Sequence, residues 1–446
     1  MKKIHENSFF IESLGCAKNS VDSRSMAELL MHAGYKESKS PHNAGVLIVN
    51  TCGFILPARE ESLHVLKEFA ASKIKGQLLI AAGCLSEKEK HRLATEITGL
   101  DAAFGTRRWA DIIQVIDNAK RQPASSPYLH FPDTKKIQES DQRVVRAAVE
   151  GRSAYLKIAD GCDRGCAFCA IPFIKGPMVS RSIDAIVDDA EYLQGIGVKE
   201  IILIAQDSTA YGRDLGMRDG LPPLLEKLVG SVPDVPWIRV MYTFPGSISD
   251  NLIKVMAGNK QILPYLDIPL QHAHPDVLKR MNRPADIQIV KETVFKVREA
   301  MPDVALRTTL ITGFPQETES EFQFLMDFLL EMKFDHVGIF PYYHEAGTSS
   351  ASKFKDNVPD SLKQERIQSL AAAQEKISLE KNKMFIGKNL DVLIEGNGDG
   401  ISAGRSYRDA PEIDGLVIFD EIIPPGSMVT AQIKGALIHD LIASRL

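Results

Sequence analysis

Apolar and polar positions along this chain change rhythm twice. In the first part the apolar runs are short and unbroken, as in GVLIVNTCG and QLLIAAGC, with a third in SFFIESLGC. Unbroken runs of this length predict parallel strands covered on both faces. Between them, VDSRSMAELLMHAG has helical spacing, with Asp22 or Ser23 as cap, Met26, Leu29 and Leu30 on the apolar side and Gly34 as the stop. The middle part repeats a strand-then-helix rhythm. AYLKIAD (154–160), EIILIA (200–205), WIRVMY (237–242), PYLDIPL (264–270), VALRTTLIT (304–312) and HVGIFP (336–341) alternate with helical stretches such as IDAIVDDAEYLQGIG and EFQFLMDFLLEM. The last part opens with one long helical pattern over 361–385, ended by Gly387. Short alternating strands follow, punctuated by glycine or proline: NLDVLIEG, GISAGRSY, GLVIFD, SMVTAQIKGA and HDLIASRL.

The prediction is an α/β multidomain protein. Residues 1–120 form an open doubly wound α/β domain, 121–147 a linker rich in Pro, Ser and charge, 148–376 a partial (β/α)6 barrel, and 377–446 a small all-β barrel. A length of 446 residues agrees with several domains. Apolar content of 44% and charged content of 25% are ordinary for a globular protein, and a net charge of −5 gives no overall basic field for nucleic acid or anionic membrane. The start, MKKIHENSFFIESLGC, has no apolar core of a signal peptide, and no run is long enough to span a bilayer. A cytoplasmic protein with reduced thiols is expected.

That expectation gives weight to the cysteines, of which there are six. Cys162, Cys166 and Cys169 fall within GCDRGCAFCAIP as C-x3-C-x2-C, too close together for unstrained disulfides. Three thiolates without a nearby fourth ligand suit a cubane iron–sulfur cluster with one open iron; zinc with a remote histidine is the alternative. The other three, Cys16, Cys52 and Cys84, each follow an apolar run. Ligands of doubly wound sheets bind at the carboxyl ends of the strands, so three thiols at that edge suggest a second cluster, against the plainer reading of three small buried hydrophobes. By the same rule for barrels, Gln206, Asp207, Gln271, His272, Arg307, Thr312 and Gly313 face the barrel mouth. Arg307 stands out, because a buried charge in an apolar strand needs a partner, and a cofactor carboxylate would serve.

The C-x3-C-x2-C motif with Phe168 before its last cysteine resembles that of the radical S-adenosylmethionine enzymes. The resemblance implies that Cys162, Cys166 and Cys169 hold a [4Fe–4S] cluster whose open iron binds S-adenosylmethionine and that Phe168 packs near the adenine; of the strand-end residues, Gln206, Gln271, Arg307 and Gly313 are the candidates to line the cofactor site, against a plainer structural or surface role for each. SLGCAKN, VNTCGFI and AAGCL resemble the N-terminal domain of the methylthiotransferases, which implies a second [4Fe–4S] cluster on Cys16, Cys52 and Cys84. The family usually has Pro where this chain has Ala17 and often Glu where it has Arg24; neither is a thiolate. The last module is similar to a TRAM domain.

Methylthiotransferases divide by substrate. One group modifies an adenosine beside the tRNA anticodon; another modifies an aspartate of ribosomal protein S-12. GRSYRDAPEIDG (404–415), YLKIADGCDRGCAFCAIP and SLGCAKNSVDS resemble the ribosomal-protein class. The resemblance implies hydrogen removal from the aspartate β-carbon by a 5′-deoxyadenosyl radical, with the second cluster delivering the methylthio group. It also implies a donor of electrons such as a flavodoxin or ferredoxin. From Phe385 to Leu446 five basic residues stand against nine acidic ones. Phosphate binding depends on Lys and Arg, so RNA contact is not favoured here, and the module reads as a docking face for a basic protein.

Overall fold

The computed structural model describes residues 5–122, 126–137, 140 and 143–446. The chain divides into two compact units and passes between them several times: 1–148, 155–164 and 169–180 make the first, and 149–154, 165–168 and 181–446 the second.

The first unit is built on an all-parallel sheet of six strands: β1 (His5–Ser13), β2 (Lys36–Glu37), β3 (Ala44–Thr51), β4 (Leu78–Ala82), β5 (Ala102–Phe104) and β6 (Tyr128–His130), in the order β2-β1-β3-β4-β5-β6. Successive side chains point to opposite faces, so each unbroken run feeds two cores. Phe9, Val46, Ile48 and Ile80 pack with α1 (Ala17–His32) and α5 (Ile112–Arg121). Leu47, Val49, Leu79 and Ala81 pack with α2 (Leu56–Ser72), α3 (Gly83–Glu89) and α4 (His91–Glu96). Helix α1 begins earlier than its cap signal suggested: Cys16 holds the N-cap position, and Asp22 is a buried interior residue of the helix. Strand β6 lies within the stretch read as a linker and adds an edge to the sheet. Residues 123–125, 138–139 and 141–142 of the expected linker fall outside the described residues. After β7 (Ala147–Glu150) and β8 (Ser153–Lys157) come β9 (Ala159–Asp160), α6 (Ile171–Lys175) and β10 (Val179–Ser180), the last pairing with β9.

The second unit contains the rest of the barrel repeat. It runs α7 (Ile183–Gly195), β11 (Glu200–Ile204), α8 (Leu221–Ser231), β12 (Trp237–Val240), α9 (Asp250–Gly258), β13 (Tyr265–Asp267), α10 (Pro275–Arg280), α11 (Ile287–Ala300), β14 (Ala305–Thr312), α12 (Glu319–Met332) and β15 (His336–Pro341). All pairings among these strands are parallel. The helix starts follow capping chemistry: Ser182 and Ser249 accept backbone N–H groups, and Thr318 with Glu321 forms a capping box. The six predicted strand–helix units are present.

After α13 (Ser349–Lys353), the long α14 (Asp360–Lys383) leads into a closed barrel of β16 (Asn389–Gly398), β17 (Ile401–Ser406), β18 (Val417–Phe419), β19 (Met428–Ala436) and β20 (Leu441–Arg445). Alternate residues Val392, Ile394, Val417, Phe419, Ala431 and Ile433 fill its interior. This barrel is tied to β11 by charge. Fully buried Glu200 accepts from Arg239 at 2.7 Å and from Arg405 at 2.6 Å, and Arg405 also reaches Glu395 at 2.5 Å. Two guanidinium groups thus meet two carboxylates, Glu200 buried and Glu395 at the surface. Among the described residues no helix is long and apolar enough to cross a membrane.

Candidate functional site

The three N-terminal cysteines come together because three neighbouring strands end at one edge. Cys16 follows β1, Cys52 follows β3, and Cys84 lies in the first turn of α3 after β4. Asn19 joins them. Its Nδ2 donates to the Leu14 carbonyl at 2.8 Å and the Thr51 carbonyl at 3.1 Å, and its Oδ1 accepts from the Cys84 thiol at 3.7 Å. Sequence reasoning missed Asn19; its only signal was its place one turn after Cys16. Gly83 has φ +94°, and a Cβ there would sit 2.4 Å from Asn50 Oδ1. The tight turn that aims Cys84 therefore requires glycine. Burial pushes the Cys84 thiol up to about 12 and also raises Cys52. At Cys16, desolvation also opposes ionisation, but Lys18, the Asn19 backbone N–H and Lys175 more than offset it, so this thiol is lowered.

The second set is local. Gly161, with φ +73°, lets the chain turn under the Pro177 carbonyl, where a Cβ would lie 2.1 Å away. The Cys162 N–H donates to the Gly176 carbonyl at 3.1 Å, and its sulfur accepts the Arg164 N–H at 3.4 Å. In the other unit the Cys166 sulfur accepts Arg283 Nη1 at 3.3 Å, and the Ala167 N–H donates to the Met281 carbonyl at 2.8 Å. Phe168 packs on Val277, Met281, Phe314 and Tyr342. Helix α6 starts directly after Ala170. Ala170 and Ile174 pack with Cys84 in one small apolar cluster, and Arg107 fastens α6 by donating to the Ile174 carbonyl at 2.9 Å.

All six cysteines are free thiols. Soft donors alone, with N–H groups aimed at Cys162 and Cys166, form a donor set suited to iron–sulfur clusters, whose potentials respond to hydrogen bonds at sulfur. Among the described residues no group of three or more His, Cys, Asp or Glu side chains is placed so that it could hold a metal ion as it stands. The fit rests on donor type and, for Cys16, Cys52 and Cys84, on the sheet edge they share.

The remaining predicted residues all lie in the second unit. Gln206 follows β11, and both polar atoms of its side chain are buried without a hydrogen-bond partner among the described residues. Such a group is costly unless a ligand satisfies it. Gln271 follows β13 with φ +76°, a left-handed conformation that non-glycine residues rarely adopt, and Tyr242 after β12 has φ +60°. Strain of this kind concentrates at functional sites, and Tyr242 was not singled out in the sequence. Gly313 donates its N–H to Glu317 at 3.0 Å, beneath the aliphatic stem of Lys363. Arg307 differs from the expectation. Asp267 lies 3.2 Å from its Nη1 and Asp414 lies 3.3 Å from its Nε. The partners demanded by its buried charge are protein carboxylates, so the reasoning that selected it for a cofactor no longer holds.

Three family models match the chain: the radical SAM superfamily over 156–329, the uncharacterized protein family UPF0004 over 8–105, and the TRAM domain over 386–445. A curated relative from Roseiflexus sp. (strain RS-1), ribosomal protein uS12 methylthiotransferase RimO, is 44% identical across 97% of this chain and 96% of its own. One of the same name from Thermoanaerobacter sp. (strain X514) is 41% identical across 97% and 98%. Among solved structures, the radical S-adenosylmethionine methyltransferase TsrM from Kitasatospora setae matches with a TM-score of 0.56 at 12% identity, over 90% of this chain and 81% of that one. At that identity the likeness concerns the fold.

Proposed function

This chain belongs to the RimO family of methylthiotransferases, enzymes of the radical S-adenosylmethionine class that use an iron–sulfur cluster, and from that premise we propose that it methylthiolates the β-carbon of an aspartate in ribosomal protein S-12 with two [4Fe–4S] clusters. Cys162, Cys166 and Cys169 would hold one cluster and Cys16, Cys52 and Cys84 the other. When bound, the clusters and S-adenosylmethionine supply one-electron chemistry at an unactivated carbon and a source of sulfur.

The chain's own residues have three tasks. Arg283 and the Arg164 N–H orient the sulfurs of Cys166 and Cys162 by donating hydrogen bonds to them. Phe168 offers an apolar wall, and Gln206 offers an unsatisfied donor and acceptor at a strand end, where a bound cofactor would complete them. Asn19 and Gly83 hold three strand ends so that Cys16, Cys52 and Cys84 share one edge.

The observation that best supports a role for the N-terminal cysteines is that Asn19 joins the ends of three neighbouring strands, bonding the Leu14 and Thr51 carbonyls and the Cys84 thiol. Support for a basic protein substrate comes from the terminal barrel. Its buried arginines Arg405 and Arg408 are unavailable to a partner, and Asp391, Glu395, Asp399, Glu412, Asp420 and Glu421 are exposed. The test is a mass comparison of ribosomal protein S-12 from cells with and without the gene, with tRNA nucleosides from the same cells. Loss of the methylthio mass from S-12 with unchanged tRNA is expected. Loss from tRNA instead would overturn the substrate reading and shift the target to an adenosine.

A further inference from the structure

Within the second unit a chain of hydrogen bonds runs from the terminal barrel to a strand end of the (β/α)6 barrel. It starts at Asp414, in the loop between β17 and β18. The Tyr265 hydroxyl donates to Asp414 Oδ2 at 2.6 Å, and the Ala410 N–H donates to the same oxygen at 3.0 Å. Asp414 Oδ1 accepts from Arg307 Nε at 3.3 Å. Arg307 Nη1 donates to Asp267 Oδ1 at 3.2 Å, and Asp267 Oδ2 accepts the Tyr242 N–H at 3.1 Å. The side chains of Asp267 and Asp414 are each 1% exposed. Buried carboxylates are costly unless paired, so the guanidinium that bridges both is fixed between them. The chain ends at a strained residue. Tyr242 has φ +60°, and such a conformation persists only where the surroundings over-determine it. Asp267 holds its N–H, and its carbonyl accepts the Ser208 N–H at 2.9 Å. Ser208 Oγ also donates to the Met241 carbonyl at 2.6 Å. Ser208 lies in the loop that carries Gln206, whose buried amide oxygen and nitrogen lack hydrogen-bond partners among the described residues.

We propose that Asp414 is a positioning residue for cofactor binding: through Arg307 and Asp267 it holds Tyr242 in its left-handed conformation, and so sets the loop that presents Gln206 to S-adenosylmethionine. The inference rests on the reading of Gln206 as a residue that meets the cofactor. It gives the terminal barrel a second task besides docking, exerted through the interior of the unit. Asp414→Asn removes the charge that fixes Arg307 between two carboxylates and leaves the shape of the side chain.

The experiment measures S-adenosylmethionine binding to anaerobically loaded full-length protein by equilibrium dialysis. D414N should weaken binding about five- to tenfold, with iron content unchanged. In a Y242G background the same change should have little effect, because glycine adopts φ +60° without strain and needs no such hold. An equal loss in both backgrounds, or none in either, would overturn the proposal. Glu200→Gln serves as the structural control: it breaks the buried ion pair between β11 and the terminal barrel and should leave binding unchanged. A loss in E200Q that matches D414N would reduce Asp414 to a structural tie and overturn its positioning role. Should D414N fail to fold, Tyr265→Phe removes only the hydroxyl seated on Asp414 and should weaken binding about threefold; unchanged binding there overturns the proposal equally. Wild-type binding by Q206L would overturn the reading of the cofactor site instead.

Discussion

The two cysteine sets are assembled by different means. Cys162, Cys166 and Cys169 are placed by eight residues of chain, and the fold adds hydrogen bonds to sulfur. Cys16, Cys52 and Cys84 are spread over 69 positions and meet only because β1, β3 and β4 lie side by side and end together. The first is a property of a loop; the second is a property of a sheet. The difference teaches that the second site should fail whenever the sheet edge fails, even where the loop is intact.

The sharpest way to separate them is by product. Cys84→Ala should lower methylthiolated S-12 peptide by about 10³-fold, roughly 4 kcal/mol of barrier, while S-adenosylmethionine cleavage continues. Cys166→Ala should abolish both, as read by mass spectrometry of peptide and nucleoside products. Retained peptide product in Cys84→Ala would merge the two sites into one.

Next comes a contrast between charge networks. Glu200 is balanced by its partners; burial opposes its ionisation, but Arg239 and Arg405 hold its pKa at about 2, below the ordinary 4.5. A depressed carboxylate stabilises the fold above its unfolded value and loses that contribution as pH falls through the folded one. Stability should therefore be flat above about pH 5 and drop by about 3 kcal/mol toward pH 2. Glu200→Gln should lower the plateau by about 3–5 kcal/mol and flatten that acid limb in urea titrations. An unchanged limb would assign the acid sensitivity elsewhere.

Glycine substitutions distinguish sheet from loop at smaller cost. Gly83→Ala forces a Cβ onto Asn50 and should cost about 2–4 kcal/mol, with loss of iron from the N-terminal site alone. Gly161→Ala should spare that site and empty the loop. The smallest effect has an unusual sign. Gln206→Leu removes buried polar atoms that lack partners and should stabilise the cofactor-free protein by about 1 kcal/mol while weakening S-adenosylmethionine binding several-fold in equilibrium dialysis. Destabilisation by Gln206→Leu would give that side chain a structural role.

Legibility follows the same division. The six barrel strands, the terminal β-barrel and both cysteine sets were readable, because apolar period and thiol spacing are local signals. The network around Asp22 was not. Asp22 looked like a helix cap, and its partners Arg146, Lys157 and Lys175 lie 124 to 153 positions away. Arg307 was readable as a buried charge, but its partner Asp414 comes from 107 positions downstream. Strand β6 was lost in a stretch of prolines and serines, since three residues are too few to show a period. Asn19 and Tyr242 depend on side-chain reach and backbone strain, which no spacing records.

The claim at the centre of this account is that each triad holds its own cluster. The direct test is iron and sulfide quantification of anaerobically loaded protein, as wild type and with either triad changed to alanine. The account predicts about eight iron atoms per chain for wild type and about half that for each variant, with a [4Fe–4S] spectrum in both. Full iron content in the C16A/C52A/C84A protein would contradict it.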